Sequence, residues 1–338
     1  MRQKRRSGLK MTDPFFSKKR IVVKVGSSLL VDTQKQKIFS EFLYDLVAEL
    51  AVLRGQEKEI VVVSSGAIAL GRTRLVHPEK WQLRHAQAAA AVGQISLASS
   101  WAKAWSTHNI DVAQILLTLD DTEERRRYLN ARDTITTLLE SGIVPVINEN
   151  DTVATEEIRF GDNDRLAARV SAMIEADLLV LLSDVDGLYD RPPHDDNAKL
   201  IPDVFEINAR IRSMAGASES SVGSGGMITK LDAADIATAS GCAMIIASGK
   251  VKNPLAYVRN GGVHTLFHPT TDAHDARRSW INGSLRSKGR VVIDQGAVQA
   301  LHNGGSLLCV GIIKLQGDFR RGDTLEICDQ QGQLLAVV

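Results

Sequence analysis

The sequence contains few cysteines, few aromatic residues and no long apolar run. Its 338 residues include three cysteines, and aromatic residues make up 5% of the chain. Cys242, Cys309 and Cys328 lack metal-ligand spacing and are odd in number, so we expect small buried thiols in a reducing compartment rather than a zinc site. No apolar run approaches the roughly 18 residues that a transmembrane helix needs. We therefore expect a soluble, cytoplasmic protein without a membrane partner.

A strong net charge is also missing. The formal net charge is +1, but the first twenty residues carry eight Lys or Arg against the single Asp13, which leaves 33 basic and 39 acidic residues in the remainder. An acidic body does not fit a dedicated nucleic-acid binder. Residues 1–19 are predicted to form a basic, disordered arm, and they lack the apolar core of a signal peptide.

Apolar runs rich in β-branched residues alternate with helical periodicity. Continuous apolar runs are typical of strands that are buried on both faces, and these runs lie at 21–25, 60–64, 112–117, 143–147, 178–182 and 243–247. Helices are predicted between residues 38 and 53 and at 85–106, 129–141, 164–175 and 230–239. The alternation predicts the α/β class, with a three-layer α/β/α sandwich around a mainly parallel sheet over residues 20–268.

The βα rhythm ends at residues 269–288, which we interpret as a linker. Short apolar segments separated by glycine-rich turns follow at 289–338 and predict a small C-terminal β domain. About 50 residues are marginal for independent folding. The chain also stops inside an apolar run, 334–338, so we expect this domain to be truncated.

Polar residues are concentrated in the segment 147–166, INENDTVATEEIRFGDNDRL. Asn148, Glu149, Asn150 and Asp151 follow a predicted buried strand, and the carboxyl ends of such strands are where open α/β sheets bind ligands. The second cluster opens a predicted helix and consists of Asp162, Asn163 and Asp164. The alternative for each residue is a solvated turn capped by Asn or Asp.

Small residues follow the first two predicted strands, in KVGSS at 24–28 and SSGA at 64–67. Such turns let backbone N–H groups approach an anion. The alternative is that glycine is present only because the turn needs its backbone flexibility. Lys24 lies inside an apolar strand, where removing its ammonium group from water costs free energy, so we expect it to face an anion. The alternative is an edge-strand lysine that reaches solvent. SSVGSGGMITK at 220–230 is either a lid over phosphates or a surface loop. Ser183 and Asp184 end another strand, where they meet a nucleotide or cap a turn.

Seven motifs in this order resemble the amino acid kinase family: KVGSS, SSGAIALG, NARDT, INENDTV, GDND, LLSDVDGLY and GSGGMITK. The resemblance covers roughly residues 20–268, and the tail resembles the start of a PUA domain. INEND followed by GDND and such a tail is similar to the branch of the family that phosphorylates glutamate. The resemblance implies direct in-line phosphoryl transfer from ATP to the γ-carboxylate of L-glutamate, which gives glutamyl 5-phosphate in the first step of proline biosynthesis.

The resemblance also implies roles for individual residues. Lys24 and Lys230 neutralise the transferred phosphoryl group, and Asp164 holds both lysines. Ser65, Asp151 and Asn163 match positions that bind glutamate. The implied nucleotide-binding residues are Lys24, Gly26, Ser183, Asp184, Ser224, Gly225, Gly226, Met227, Ile228, Thr229 and Lys230. Mg²⁺ bridges the ATP phosphates, and the sequence shows no dedicated metal cage.

Further partners follow from the resemblance alone: proline as a feedback inhibitor, a homodimer or homotetramer, and a glutamyl phosphate reductase that takes the product. Three alternatives remain open. A sister kinase acts on another carboxylate, a carbamate or a nucleotide, but Asp151 and Asn163 favour an amino acid. An RNA-binding protein is suggested by the PUA-like tail and the basic arm, against the acidic body. The third alternative is a catalytically inactive regulator.

Overall fold

Strands and helices alternate along most of the chain. The computed structural model describes residues 15, 18–33, 35, 37–75, 81–153, 162–215, 226–270, 287–320 and 322–338. The strands are β1 (Arg20–Val25), β2 (Val31–Asp32), β3 (Lys37–Ile38), β4 (Glu59–Val63), β5 (Val112–Leu117), β6 (Val144–Glu149), β7 (Leu178–Ser183), β8 (Leu188–Tyr189), β9 (Leu200–Ile201), β10 (Asp203–Val204), β11 (Ala243–Ser248), β12 (His264–Phe267), β13 (Gly289–Ile293), β14 (Ile312–Gly317), β15 (Leu325–Cys328) and β16 (Leu334–Val337).

The α-helices are α1 (Ser27–Leu30), α2 (Ser40–Gly55), α3 (Ala67–Gly71), α4 (Leu83–Ser106), α5 (Leu119–Glu123), α6 (Arg125–Glu140), α7 (Asp162–Met173), α8 (Ala209–Met214), α9 (Met227–Ala239), α10 (Pro254–Arg259) and α11 (Gln295–His302). Short 3-10 helices lie at Arg72–Arg74, Asp151–Val153 and Cys309–Gly311. The five long helices predicted from the sequence are present as α2, α4, α6, α7 and α9. No helix in these described ranges is long and apolar enough to cross a membrane.

An eight-stranded sheet forms the centre of the larger domain, in the order β10-β12-β11-β7-β1-β4-β6-β5. The six predicted apolar runs are β1, β4, β5, β6, β7 and β11, and neighbours among them pair in parallel. β12 pairs antiparallel with β11, and β10 pairs parallel with β12. These last two strands were not predicted, because two to four residues are too few to show a periodicity.

Both faces of the sheet are covered by helices. In β1, Ile21, Val23 and Val25 point into a core with α2 and α4, whereas Val22 points into a second core with α6, α7 and α9. A continuous apolar strand is required because successive side chains enter different layers, and each fully buried Val or Ile contributes about 1.5–3 kcal/mol. The predicted three-layer sandwich is confirmed. Phe15, inside the segment predicted as a disordered arm, is buried in the first of these cores.

A separate four-stranded sheet follows, in the order β14-β13-β15-β16. Its small core is formed by Val291, Ile293 and Ile327. Helix α11 lies beside this core, and its first turn is capped by Asp294, whose Oδ1 accepts a hydrogen bond from the Ala297 N–H at 2.7 Å. The predicted small C-terminal β domain is therefore present. Most of the predicted linker, at 271–286, lies outside the described residues.

Candidate active site

Four neighbouring strands place polar residues at one edge of the central sheet. Because β7, β1, β4 and β6 are adjacent and parallel, their carboxyl ends open on the same side. Lys24 in β1 lies between Val63 of β4 and Leu181 of β7. The segments that follow these four strands are among those that the sequence predicted to bind ligands, and they start from the same edge of the sheet.

A buried ion cluster lies at the centre of this edge. Asp164, in the first turn of α7, is 1% exposed and contacts the ammonium groups of Lys24 from β1 and Lys230 from α9. Lys230 Nζ lies 3.2 Å from Asp164 Oδ2, and Lys24 Nζ pairs with Oδ1. Both lysines are also buried, at 7% and 4% exposure. Two ammonium groups and one carboxylate carry a formal charge of +1 together, and because all three are buried this charge is weakly screened and attracts an anion.

The protonation state of Asp164 follows from competing effects. Burial raises the pKa of this carboxyl group, but the charges of Lys24 and Lys230 and their hydrogen bonds outweigh burial, so its pKa lies below the usual aspartate value. Asp164 is therefore a carboxylate near neutral pH. It is engaged by two lysines, which suits a residue that positions cations and not one that abstracts a proton.

Gly26 keeps the space beside Lys24 open. It is extended, with φ −69° and ψ 152°, and precedes the first turn of α1. A Cβ atom at this position would lie 4.0 Å from Lys24 Nζ. The Gly26 N–H points to the Leu182 carbonyl at 3.4 Å, which ties this turn to β7. Glycine thus leaves room for a ligand next to the ammonium group.

Asn163 connects the strand ends on the other side of the cluster. Its Nδ2 donates to the Ser64 carbonyl and to Ser65 Oγ, both at 2.7 Å, and lies 3.0 Å from Asn148 Oδ1. Asp151 follows the same strand as Asn148, in the 3-10 helix Asp151–Val153, and is 7% exposed. The predicted pair Ser65 and Asn163 is brought together directly, and Asp151 is buried on the adjoining turn.

Two residues of this network were missed from the sequence. Gln94 and Trp101 both belong to α4: Gln94 Oε1 accepts from Asn148 Nδ2 at 2.7 Å, and Trp101 Nε1 donates to Ser64 Oγ at 2.9 Å. The available signal was two glutamines and two tryptophans in a helix rich in small residues, and the sequence does not tell Gln94 from Gln87 or Trp101 from Trp105. That signal does not show which strand ends the helix crosses.

The predicted nucleotide-binding residues that the structure describes lie in and directly after β1, at the end of β7 and at the start of α9. Ser183 ends β7 and donates to Asp184 Oδ1 at 3.0 Å. Gly226 precedes α9, and Thr229 Oγ1 donates to the Gly226 carbonyl at 2.8 Å. Met227, Ile228 and Thr229 therefore lie in the first turn of α9, which also carries buried Lys230. Ser224 and Gly225 lie outside the described residues.

Comparison with known proteins agrees with this geometry. The profile of the amino acid kinase family matches residues 19–248, and the profile of the PUA domain matches 289–338. Glutamate 5-kinase of Bradyrhizobium diazoefficiens strain USDA 110 is 55% identical over 318 residues, which cover 93% of this chain and 85% of that protein. Glutamate 5-kinase of Bradyrhizobium sp. strain BTAi1 is 57% identical over 311 residues, covering 91% and 82%.

Solved structures show the same fold at low sequence identity. UMP kinase from Bacillus anthracis has a TM-score of 0.55 and 14% identity, covering 75% of this chain and 97% of that one. Carbamate kinase from Giardia lamblia bound to AMP-PNP has a TM-score of 0.54 and 15% identity, covering 75% and 99%. With the family profile matching most of its length and relatives above 50% identity, the chain belongs to the amino acid kinase family.

Proposed function

We propose that the chain transfers the γ-phosphoryl group of ATP to the γ-carboxylate of L-glutamate, forming ADP and glutamyl 5-phosphate, the first step of proline biosynthesis. The observation that carries the proposal is the buried cluster of Lys24, Asp164 and Lys230, which presents two ammonium groups at the carboxyl ends of the central strands. Relatives that match over 90% of this chain bear the name of that activity.

The chemistry requires no general base. The pKa of a glutamate γ-carboxyl group in water is about 4.3, so the group is ionised near neutral pH. One of its oxygens attacks the γ-phosphorus in line, the bond from phosphorus to the β,γ-bridging oxygen breaks, and ADP leaves with that electron pair. Catalysis then consists of positioning and charge neutralisation. Lys24 and Lys230 stabilise the charge on the transferred group, and Asp164 keeps both ammonium groups in place.

The acceptor is held on the Asn163 side of the cluster. Asp151 is a buried carboxylate that suits the α-ammonium group of glutamate. Ser65 and Asn163 are already hydrogen-bonded to each other and offer a hydroxyl and an amide to the substrate. In the proposed complex the amino acid lies on the side of β4 and β6, with its γ-carboxylate toward the lysines.

The nucleotide is held on the β7 and α9 side. Gly26 follows β1, Ser183 ends the adjacent strand β7 and Asp184 follows it. Gly226 precedes α9 and Met227 to Lys230 form its first turn, in a 13-residue helix whose N-terminal N–H groups attract phosphate. We extend this set to Ser224 and Gly225. Both oxygens of Asp164 face lysines, so this carboxylate would leave Mg²⁺ to the phosphates of ATP. The ion would supply positive charge there in addition to that of Lys24 and Lys230.

Three further features belong to the same proposal. Proline, an amino acid of similar size, inhibits by competing at the glutamate site. The acyl phosphate is labile, so a glutamyl phosphate reductase consumes it. The chain associates as a homodimer or homotetramer in the cytoplasm, where ATP and glutamate are available.

The first experiment measures ADP release with ATP and Mg²⁺ in the presence and absence of L-glutamate, with hydroxylamine as the trap. The expected result is glutamate-dependent ADP release with a matching amount of γ-glutamyl hydroxamate. Release that depends on another acceptor, such as a carbamate or a nucleoside monophosphate, points to a sister kinase instead. No release with any acceptor contradicts the proposal and favours the inactive regulator.

A further inference from the structure

Side-chain amides form a continuous link from helix α4 to the acceptor side of the site. Gln94 on α4 accepts from Asn148 Nδ2 at 2.7 Å, and Asn148 Oδ1 lies 3.0 Å from Asn163 Nδ2. Asn148 is 3% exposed, so water does not replace these partners readily. Three amides in series therefore connect a helix outside the predicted site to a residue inside it.

The order of donors and acceptors fixes how each amide is turned. An amide has a donor at one end and an acceptor at the other, so a partner at one end dictates the orientation of the whole group. The Ser64 carbonyl can only accept, so Asn163 presents its NH₂ to Ser64, Ser65 and Asn148. The oxygen of Asn148 therefore faces Asn163, its NH₂ faces α4, and Gln94 supplies the oxygen that this NH₂ needs. The Oδ1 of Asn163 accepts no hydrogen bond from the residues that the structure describes.

The position of Gln94 is itself fixed by close packing. Gly93, the preceding residue, lies so close to α3 that a Cβ atom there would be 1.8 Å from the Ala67 carbonyl oxygen. The backbone of α4 is thus pressed against the turn that follows β4. The backbone of Gln94 is therefore held rigidly, and its side chain reaches the end of β6. A side chain that orients other groups needs such a fixed backbone.

We propose that Gln94 is a positioning residue for the acceptor amino acid. It acts through Asn148, which it holds against Asn163, and so keeps the Asn163 oxygen in place toward the substrate, where this oxygen accepts a hydrogen bond from the α-ammonium group beside Asp151. The proposal rests on the proposed function for the identity of that acceptor. In this proposal Gln94 does not act on the lysine cluster. Loss of the Gln94 side-chain amide therefore weakens binding of the amino acid and does not slow the phosphoryl-transfer step.

The test compares Gln94→Met, which keeps the volume and removes the acceptor, with Gln94→Glu, which keeps an acceptor oxygen. We expect Gln94→Met to raise the glutamate KM about tenfold, the value of one hydrogen bond of average strength, with kcat and the ATP KM within about twofold of wild type. Gln94→Glu should restore the glutamate KM to within about threefold. Gln299→Met, on an exposed position of α11, is the matched control. The proposal is overturned if Gln94→Met changes the glutamate KM and the ATP KM equally. It is also overturned if the glutamate KM of Gln94→Glu is as high as that of Gln94→Met.

A second measurement does not need turnover. In protein labelled with ¹⁵N at asparagine, the side-chain NH₂ protons of Asn148 and Asn163 should exchange slowly in wild type and in Gln94→Glu. In Gln94→Met, at least those of Asn148 should exchange at least tenfold faster. If wild type fails to phosphorylate glutamate but this pattern is found, the proposed function is wrong and the amide link stands. Unchanged exchange in Gln94→Met removes the positioning role whatever the substrate.

Discussion

At the scale of single residues, the carboxylate between two lysines determines both stability and charge at the site. Asp164→Asn keeps the shape of the side chain and leaves two buried ammonium groups without their shared carboxylate. Removing one partner of a buried ion pair costs about 3–5 kcal/mol, so we expect a loss of this size in the free energy of unfolding. Asp232→Asn, in an exposed pair with Arg212, should change it by less than about 1 kcal/mol.

The pH dependence of this effect has a defined sign. Since the folded-state pKa of Asp164 lies below the usual value, its contribution is fully present above the unfolded-state pKa of about 3.9 and is lost as the pH falls through the folded-state pKa. Urea unfolding of wild type and Asp164→Asn should therefore differ by a constant amount above about pH 5 and converge below about pH 4. A difference that grows in acid contradicts the assigned charge state.

Lys24 carries a second prediction at this scale. In the proposed mechanism its ammonium group stabilises charge that develops on the transferred phosphoryl group, so Lys24→Ala should lower kcat about 10²–10³-fold. Lys19→Ala is the control, because Lys19 directly precedes the same strand and has a 75% exposed side chain. Steady-state ADP release measures both variants. If Lys24→Ala keeps kcat within about threefold of wild type, neutralisation by this residue is not part of the reaction.

The residues that the sequence predicted differ physically from those it missed. Lys24 inside an apolar strand and Asp164 at a helix start are unusual in their own local context, so one position is enough to notice them. Gln94 and Trp101 are ordinary on an amphipathic helix, and only the path of α4 across the strand ends gives them partners. The local sequence does not identify such side chains, because their role depends on how elements that are distant in the chain cross.

At the scale of elements, α3 and α4 approach each other through glycine. Cβ atoms at Gly71 and Gly93 would lie 1.9 Å and 1.8 Å from backbone carbonyl oxygens of Ala89 and Ala67. Such distances require backbone shifts, so Gly93→Ala should destabilise the fold by several kcal/mol, at the upper end of about 1–3 kcal/mol for overpacking or beyond it. The shift would also move Gln94 away from Asn148.

The control for this prediction is Gly55→Ala at the end of α2, where no atom lies within 4 Å of the added methyl group. Alanine has the higher helix propensity, so this variant should be neutral or more stable by up to about 1 kcal/mol. Thermal unfolding measures both. If the two variants melt at the same temperature, the close approach of α3 and α4 is not what holds the helix in place.

Sequence patterns predicted the elements unevenly for a related reason. Strands β1, β4, β6 and β7 are buried on both faces, and burial demands continuous apolar runs that are visible without a structure. β10 and β12 form the far edge of the sheet, where few residues pair and both strands run opposite to the other six. Direction and order at an edge depend on the path of the connections, which periodicity does not encode.

At the scale of the whole molecule, α4 carries an exposed face without charge. Residues 85–102 contain no Asp, Glu, Lys or Arg, although Val92 and Ile95 of this stretch are 39% and 75% exposed. Together with Ala88, Ser99 and Ala102 they repeat at alternating spacings of four and three, the pattern with which helices pack on one another. Arranged antiparallel about Ile95, two copies of this face match, with Ala88 opposite Ala102, and bring no like charges together.

This face gives the proposed oligomer a definite test. Ile95→Glu places a charge at the centre of the pair, so it should shift the wild-type oligomer toward a smaller species in sedimentation velocity. Val52→Glu, at a 57% exposed position of α2, should leave the sedimentation coefficient unchanged. If Ile95→Glu has the sedimentation coefficient of wild type, α4 is not part of the interface. If wild type is a monomer, the proposed oligomer is wrong. Gln94 lies next to Ile95 in α4. Dissociation of the oligomer by Ile95→Glu should therefore also raise the glutamate KM and leave the ATP KM unchanged, so that self-association and amino acid binding are lost together.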